Sequence, residues 1–423
     1  MNMAATFRKQ LLADWSSLPH VILSNILDKL LEPTDHVRFA AVCKEWHALA
    51  TDYNHTTQRC FKVHPMLMIP SESQGKRKLY SISEQKVYNN FELPQACNST
   101  KRCCGSSNAP GWLVAVDLLG EHQLSTTLVN VFKREVTPIR LPPLYFNAES
   151  HWFMVFSPKV ILSADPIANP DNYVVVAVYD RVSRIAFIKG GQTIWTYLEV
   201  YSFFTDAIFY KRKVYAVGQW GRIKSFDVNS KPVEESLLAH GRYRFSCHAH
   251  KGYLVETTKG DLLHVRRFLK QKDVPRHYYF HYEHNEFWTE SFKVYKVVFD
   301  ERDESIVEQV ELKSIGDEAL FVGDNHSMCV LASNFPGCQP NSIYYTDDLI
   351  ELGEVRLVDD GSINMDDIFS LIKLKDETIS NGPSDMGIFN LEDGSITQHY
   401  SLNPWHRNIP PAIWIMPLFN GLG

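Results

Sequence analysis

The spacing of apolar residues along the chain changes near residue 60. Between residues 14 and 50, apolar side chains recur every three or four positions, which is the period of an amphipathic helix. Between residues 65 and 418 they form short runs rich in β-branched and aromatic residues, separated by turns, and helical periodicity is weak. The pattern predicts a mainly β chain with a short helical head and a long β body.

The head begins with a predicted helix that carries one apolar stripe. Ser17 suits the N-cap, and Pro19 suits the first helical position, where its missing N–H needs no partner. The stripe repeats at helical spacing and consists of Val21, Ile22, Ile26, Leu27 and Leu30. Pro33 and Thr34 then end this helix.

A second helix is predicted to follow directly after this break, with Thr34 or Asp35 at its N-cap. Its apolar positions fall at helical spacing and are Val37, Val42, Cys43, Trp46 and Leu49, with Phe39 broadening the apolar surface. A unit of roughly 40 residues is too small to bury so many large side chains on itself. We therefore expect the head either to pack on the β body or to present a partner-binding surface.

The β body repeats a group of four short strands. One group spans residues 206–237, with turns at Lys211-Arg212, Gln219-Trp220-Gly221 and Asn229 to Pro232. Equivalent tyrosines, Tyr215 and Tyr253, lie 38 residues apart, close to the period of a propeller blade. Further groups fall at 105–141, 158–200, 246–312 and 319–400. The repetition favours a β-propeller over a pair of sandwiches.

The first blade is incomplete in this count. Residues 66–93 supply about three strands, and the apolar run Ile413-Trp414-Ile415 near the C-terminus can supply the fourth. A propeller closed in this way leaves no unpaired sheet edge in its ring. We predict six blades closed by the C-terminal strand, with seven blades as the alternative.

Composition excludes several classes of function. Hydrophobic residues at 44% and charged residues at 22% are ordinary for a globular protein. The 43 basic and 49 acidic residues give a net charge of −6, so nothing favours a nucleic-acid partner. No apolar run is long enough to span a membrane, and no secretory leader is evident. Eight cysteines are too sparse for a disulfide framework, which indicates reduced thiols in the nucleus and/or the cytoplasm.

The head resembles an F-box. The resemblance rests on residues that occur in order at the spacing of that family, namely Leu18-Pro19, Ile22, Ile26-Leu27, Leu30, Asp35, Arg38-Phe39 and Val42-Cys43-Lys44-x-Trp46. Ala40 and His47 stand where members of the family often carry basic residues. The less specific alternative is an amphipathic helical pair that only caps the β body.

The F-box resemblance implies a partner. F-boxes bind a Skp-family adaptor, which connects them to a cullin and a RING protein in a ubiquitin ligase. The residues that would contact the adaptor are Leu18, Pro19, Ile22, Ile26, Leu27, Leu30, Val42 and Trp46.

The β body resembles the domain of unknown function that follows the F-box in plant KIB-like proteins. The matching segments include Gly111-Trp112-Leu113, Leu141-Pro142-Pro143, Tyr253-Leu254-Val255-Glu256, Phe335-Pro336-Gly337-Cys338 and Pro410-Pro411-x-Ile413-Trp414. The two resemblances together imply an N-terminal extension over residues 1–12, an F-box over 13–52, a linker over 53–64 and a KIB-like propeller over 65–423.

The chain shows no convincing catalytic or cofactor motif. Phosphate-binding and nucleophile-elbow patterns are missing. His277, His281 and His284 are spaced like metal ligands, but their polar and aromatic surroundings favour surface histidines, so we expect no metal and no cofactor. We therefore expect a non-catalytic receptor that brings an unknown protein substrate to the ligase. The alternatives are an F-box protein without ligase output and a small-molecule-binding or hydrolytic propeller, whose two carboxylates would converge on a central pocket.

Overall fold

The computed structural model describes most of the chain and divides it into two compact units. One unit comprises Met1–His64 with Met416–Gly423, and the other comprises Pro65–Ile415. The described residues are 15–30, 33–56, 64–71, 76–94, 102–105, 109, 111–119, 123–133, 135–145, 159–179, 184–199, 204–218, 221–230, 235–238, 250–271, 287–300, 302–323, 325–346, 385–400 and 412–417. The segment with His277, His281 and His284 lies outside them.

In its described residues, the first unit contains three α-helices preceded by a 3-10 turn at Trp15–Ser17. The helices are α1 (His20–Lys29), α2 (Pro33–Ala40) and α3 (Lys44–Thr56). Their buried side chains form one small core of Leu23, Leu27, Phe39, Trp46, Ala50 and Tyr53. In the described residues, none of the helices combines the length and apolarity of a membrane span.

The prediction of one continuous second helix was wrong. The chain leaves helical geometry after Ala40 and starts again at Lys44, with the backbone N–H of Trp46 donating to the Cys43 thiol, 3.5 Å away. This break turns the chain, so the rings of Phe39 and Trp46 meet with centroids 4.4 Å apart. This contact packs the end of α2 against the start of α3.

The predicted start of the first helix was also displaced. Pro19, not Ser17, occupies the N-cap of α1, and no side chain caps this end. The Pro19 carbonyl accepts hydrogen bonds from the backbone N–H groups of Ile22 and Leu23, at 2.9 and 3.2 Å. A proline fits here because the N-cap contributes its carbonyl to the helix and needs no N–H of its own.

The second unit is a propeller of six sheets, which confirms the mainly β prediction and the six-blade count. Blade 1 contains β1 (Met66–Pro70), β2 (Lys76–Ser81), β3 (Lys86–Glu92) and the last strand of the chain, described below. Blade 2 contains β4 (Arg102–Gly105), β5 (Trp112–Leu118), β6 (Gln123–Asn130), β7 (Ile139–Arg140) and β8 (Leu144–Tyr145). Blade 3 contains β9 (Lys159–Leu162), β10 (Val174–Tyr179), β11 (Arg184–Lys189) and β12 (Thr196–Glu199).

Blades 4 to 6 follow in chain order. Blade 4 contains β13 (Phe204–Tyr210), β14 (Lys213–Gly218), β15 (Ile223–Phe226) and β16 (Glu235–Leu238). Blade 5 contains β17 (His250–Glu256), β18 (Leu262–Gln271), β19 (Phe287–Phe299) and β20 (Ile306–Leu312). Blade 6 contains β21 (Glu318–Val322), β22 (Met328–Leu331), β23 (Ser342–Tyr345), β24 (Gly387–Asn390) and β25 (Ile396–Thr397).

The final strand, β26 (Ile413–Ile415), closes the ring as predicted. It pairs antiparallel with β1 in the register Met66 with Ile415, Leu67 with Trp414 and Met68 with Ile413. Trp414 is completely buried. Blade 1 is therefore built from both ends of the propeller sequence.

Blade 6 departs from the simple up-and-down order. Strand β22 lies at the edge of the sheet, and β21 pairs on its other side with β23 in parallel register. The inner ring of the propeller is formed by one edge strand from each blade, namely β26, β4, β9, β13, β17 and β22. From β4 to β22, each of these strands contacts the next one along the chain.

Candidate partner-binding site

The helical unit leaves several large apolar side chains exposed. Val21 and Ile22 on α1 are 70% and 46% exposed, and Trp15 and Val42 are also exposed. Burial of these side chains against a partner would remove apolar surface from water, which is the main favourable term in protein association. Taken within their own unit, these side chains are candidates for contact with a partner.

The residues predicted to contact the adaptor fall into three groups. Pro19, Ile22 and Val42 are exposed, whereas Leu18, Ile26 and Leu30 are half-buried. Leu27 and Trp46 belong to the helical core, and the Trp46 indole N–H donates to the Trp15 carbonyl at 3.1 Å. These two side chains hold the helices together, so only the first two groups can offer contact area.

Sequence reasoning left Val21 and Trp15 out of the predicted contact set. Val21 was part of the apolar stripe, but the stripe alone did not separate residues that face the core from residues that face solvent. The spacing of Leu23 and Leu27 could have located the core-facing side of α1, because side chains four positions apart share one helix face. Both leucines are buried in the structure, so Val21 and Ile22 are left on the exposed side.

A shallow groove continues from the end of α2 along α3. Small side chains and polar ones share its lining, which consists of Ala40, Ala41, Cys43, Lys44, His47, Ala48, Thr51 and Asp52. Ala40 and His47, the two departures from the usual F-box pattern, both lie here. The alanines let another chain approach the backbone, while Lys44 and Asp52 provide charges of both signs.

The centre of the propeller carries a cluster of buried polar side chains, which we call the central node and define as Lys159, Asp206, Asn325 and Ser327. All four are at least nine-tenths buried. The Lys159 ammonium is ion-paired with the Asp206 carboxylate and donates to the Asn325 carbonyl at 2.8 Å. Ser327 Oγ lies 3.5 Å from Asp206 Oδ2, so the node has no freely accessible carboxylate.

The charge of Asp206 is stabilised by several donors. Its Oδ2 accepts the backbone N–H of Leu254 at 2.8 Å, and its Oδ1 accepts the N–H of Ala207 at 2.6 Å. Burial raises the pKa of the Asp206 carboxyl, while Lys159 and these backbone donors act to lower it. The arrangement suits a structural ion pair. Lys159 and Asp206 each stand directly before a run of apolar residues, which was the signal in the sequence for this pair.

Arg267 forms a second buried polar cluster between blades 5 and 6. Its guanidinium donates to the Thr346 carbonyl at 3.0 Å and to the Asp385 carboxylate at 2.8 Å. Thr289 donates to the same carboxylate through both its N–H and its hydroxyl, each at 2.9 Å. Thr346 is the last described residue after β23, and Asp385 is the first described residue before β24. The Arg267 guanidinium therefore connects the two stretches of chain that carry these strands.

The described thiols and histidines show no reactive or metal-binding arrangement. Cys43, Cys329 and Cys338 are free, and burial raises the pKa of the Cys338 thiol to about 11 and raises that of Cys329 further. Thiols of high pKa are poor nucleophiles. Over the described ranges, no group of three or more histidine, cysteine or acidic side chains is placed to hold a metal ion.

Comparison with protein families matches both units. The family model described as KIB1-4 beta-propeller matches residues 79–390, and the F-box-like model matches residues 15–61.

Relatives from Arabidopsis thaliana match most of the chain. F-box protein At2g17690 is 24% identical over 417 residues, covering 83% of this chain and 96% of that protein. F-box protein At2g26160 is 24% identical over 358 residues, covering 79% and 96%. Among solved structures, the beta-propeller domain of Myceliophteria thermophila Cps50 (Swd1) aligns at a TM-score of 0.28 and 9% identity, over 58% of this chain and 89% of that one.

Proposed function

The chain belongs to the KIB1-4 beta-propeller family and carries an F-box-like region at its N-terminal side, and we propose that it is the substrate-recognition subunit of an SCF-type ubiquitin ligase. In this proposal the helical unit binds a Skp-family adaptor and through it a cullin and a RING protein. The propeller binds a protein substrate.

One observation carries the proposal. The unit that matches the F-box-like model leaves Val21, Ile22 and Val42 exposed, although its own core is complete without them. Exposed branched apolar residues are expected where another protein covers them. The relatives named as F-box proteins share nearly their whole length with this chain, which supports a common role.

The receptor contributes proximity in place of chemistry. A substrate bound to the propeller while the helical unit holds the adaptor presents its lysines to the ubiquitin-loaded enzyme at high effective concentration. Both contacts must exist at the same time, since the advantage disappears when either one is lost. No side chain of this protein is required to react in this mechanism.

The adaptor contact is tested with the variant Val21→Glu/Ile22→Glu in the full-length chain. Burial of one such side chain contributes roughly 1.5–3 kcal/mol, so loss of two should weaken binding to a purified Skp-family adaptor at least tenfold. Binding is measured by calorimetry. Val307→Glu, which changes an exposed residue of β20, is the control and should bind as tightly as the wild type.

The same variant tests the ligase role in a reconstituted ubiquitination assay. Candidate substrates come from proximity labelling with the intact chain under proteasome inhibition. Since Val21→Glu/Ile22→Glu leaves the propeller unchanged, it should bind the substrate, fail to support ubiquitination and inhibit the wild-type receptor in a saturable way. Undiminished ubiquitination by the variant, or substrate turnover without any ligase component, would contradict the proposal.

We also propose that this ligase acts in the nucleus and/or the cytoplasm. The low cysteine content and the free thiols of Cys43, Cys329 and Cys338 support a reducing compartment. Imaging of a fluorescent fusion at native expression tests the proposal, and signal confined to the secretory pathway would refute it.

A further inference from the structure

The central node links strands that lie on opposite sides of the propeller. Lys159 begins β9 of blade 3, Asp206 lies on β13 of blade 4, and the Leu254 N–H that binds Asp206 belongs to β17 of blade 5. Asn325 and Ser327 precede β22 of blade 6. The Asn325 side-chain amide then donates to the Trp414 carbonyl on β26 of blade 1. One buried polar network therefore joins five of the six blades.

The ammonium of Lys159 occupies the middle of this network. Lys159 lies in blade 3 and Asn325 in blade 6, three blades apart around the ring, yet the ammonium is 2.8 Å from the Asn325 carbonyl. A buried charge that loses its partner is strongly destabilising, so the pair resists separation of the blades that hold it. The backbone of Asn325 is thereby fixed at the point from which its side chain reaches β26.

The closing strand is short, and in the described residues it forms three residue pairs with β1. Its Trp414 ring packs against two further rings, with the Phe321 centroid 5.0 Å away and the His399 centroid 5.4 Å away. The Asn325 amide is thus a specific polar contact that holds the backbone of β26 from the blade 6 side.

We propose that the central node is a latch for ring closure: Lys159, acting from blade 3 through Asn325, holds the C-terminal strand β26 in the inner ring. This role is separate from adaptor or substrate binding. Asn325 also begins an Asn-His-Ser glycosylation sequon, but its amide is buried and donates to the Trp414 carbonyl within the fold.

Hydrogen–deuterium exchange of the full-length protein tests the latch. Lys159→Met removes the ammonium, and Asn325→Ala removes the amide but leaves the Asn325 carbonyl that accepts from Lys159. Each variant should raise exchange at least tenfold in peptides covering residues 412–417, while blade 2, which contributes no residue to this network, keeps wild-type protection. Lys224→Met is the matched control, because Lys224 on β15 is buried to the same 8% exposure as Lys159. It should leave exchange at 412–417 within twofold of the wild type.

The two variants also cover the case in which one fails to fold. If Lys159→Met is insoluble, a selective rise at 412–417 in Asn325→Ala supports the latch by itself. Wild-type exchange at 412–417 in Asn325→Ala would overturn the proposal, whatever Lys159→Met does. A rise of equal size in every blade of a folded variant would overturn it as well, since general destabilisation is not release of one strand.

Discussion

Gly323, directly after β21, lies against Thr346, which follows β23. A Cβ added to Gly323 would come 2.1 Å from the Thr346 hydroxyl oxygen, far inside van der Waals contact. That hydroxyl has no hydrogen-bond partner among the described residues. We expect Gly323→Ala to destabilise the protein by roughly 1–3 kcal/mol, as overpacking usually does.

A second substitution at Thr346 should relieve this clash. Thr346→Ala removes the oxygen that the new methyl group would meet, so the double variant Gly323→Ala/Thr346→Ala should be more stable than Gly323→Ala alone. Urea unfolding of the wild type, both single variants and the double variant measures the coupling. Equal stability of Gly323→Ala and the wild type, or no recovery in the double variant, would refute this account.

We expect two buried histidines to give the propeller an acid-dependent stability. Burial lowers the pKa of His264 to about 4 and that of His399 to about 4, whereas an unfolded chain titrates near the ordinary value of 6.5. The unfolded state therefore binds more protons below pH 6.5, and the free energy of unfolding falls as the pH drops from 6.5 to 4. Each residue accounts for roughly 3 kcal/mol of this loss at its full extent.

His399→Phe isolates one of these contributions. The imidazole stacks on Trp414 at an interplanar angle of 22°, and neither of its nitrogens has a hydrogen-bond partner in the described structure. Phenylalanine keeps the stack and cannot titrate. The variant should match the wild type near pH 7 and exceed it near pH 4.5 in denaturant unfolding. Parallel pH profiles for the two proteins would exclude His399 as a source of the acid dependence.

The hairpin between β13 and β14 uses an unusual pair of turn residues. Lys211 and Arg212 both have positive φ, 44° and 67°, a conformation that L-residues with a Cβ adopt at a cost. Two-residue hairpins prefer Asn-Gly here. Lys211 has a compensating contact, since its ammonium lies 5.3 Å from the ring centroids of Tyr210 and Phe299.

Arg212→Gly should therefore stabilise blade 4. Glycine adopts positive φ without the steric cost, and Lys211 keeps its aromatic contacts, so we expect a gain of roughly 0.5–1 kcal/mol. Thermal unfolding measures the change. Lys211→Gly is the contrasting variant and should gain less, because it gives up the cation–π contacts. The account fails if Arg212→Gly melts below the wild type.

In the helical unit, the spacing of apolar residues did not predict where one helix ends and the next begins. The apolar residues from Val37 to Trp46 keep helical spacing across the break at Cys43, and no glycine or proline marks the interruption. The break lets Phe39 pack against Trp46, a contact that spacing alone does not reveal. For the same reason the sequence grouped Leu27 and Trp46 with the exposed residues of the predicted contact face.

At the scale of the whole molecule, the local repeats predicted the architecture well. Each blade is mostly a run of neighbouring strands, so turns and apolar runs were enough to find six blades and the closing strand. The parallel pairing of β21 with β23 was not predicted, because it requires the chain to cross over β21. The central node also escaped notice, since Lys159 and Asn325 are 166 residues apart in sequence.

Removal of the closing strand should affect the whole ring. Deletion of residues 412–423 takes away Trp414 and exposes the edge of β1, so we expect aggregation or a large fall in melting temperature. Size-exclusion chromatography and thermal unfolding measure both effects. Deletion of residues 418–423 alone is the control, because it keeps β26. A monomeric 412–423 deletion with an unchanged melting temperature would show that the ring does not depend on this strand.

Because blade 1 is built from both ends of the propeller sequence, the ring cannot close until the last strand has been synthesised. At ~5–20 residues per second, the ribosome adds β26 roughly 20–70 s after the three helices have been made. Throughout that interval β1 has no partner on its inner edge, and the latch cannot form because Trp414 does not yet exist. A nascent chain therefore carries its helices well before its ring can close, and chaperones have this whole period in which to protect the open edge.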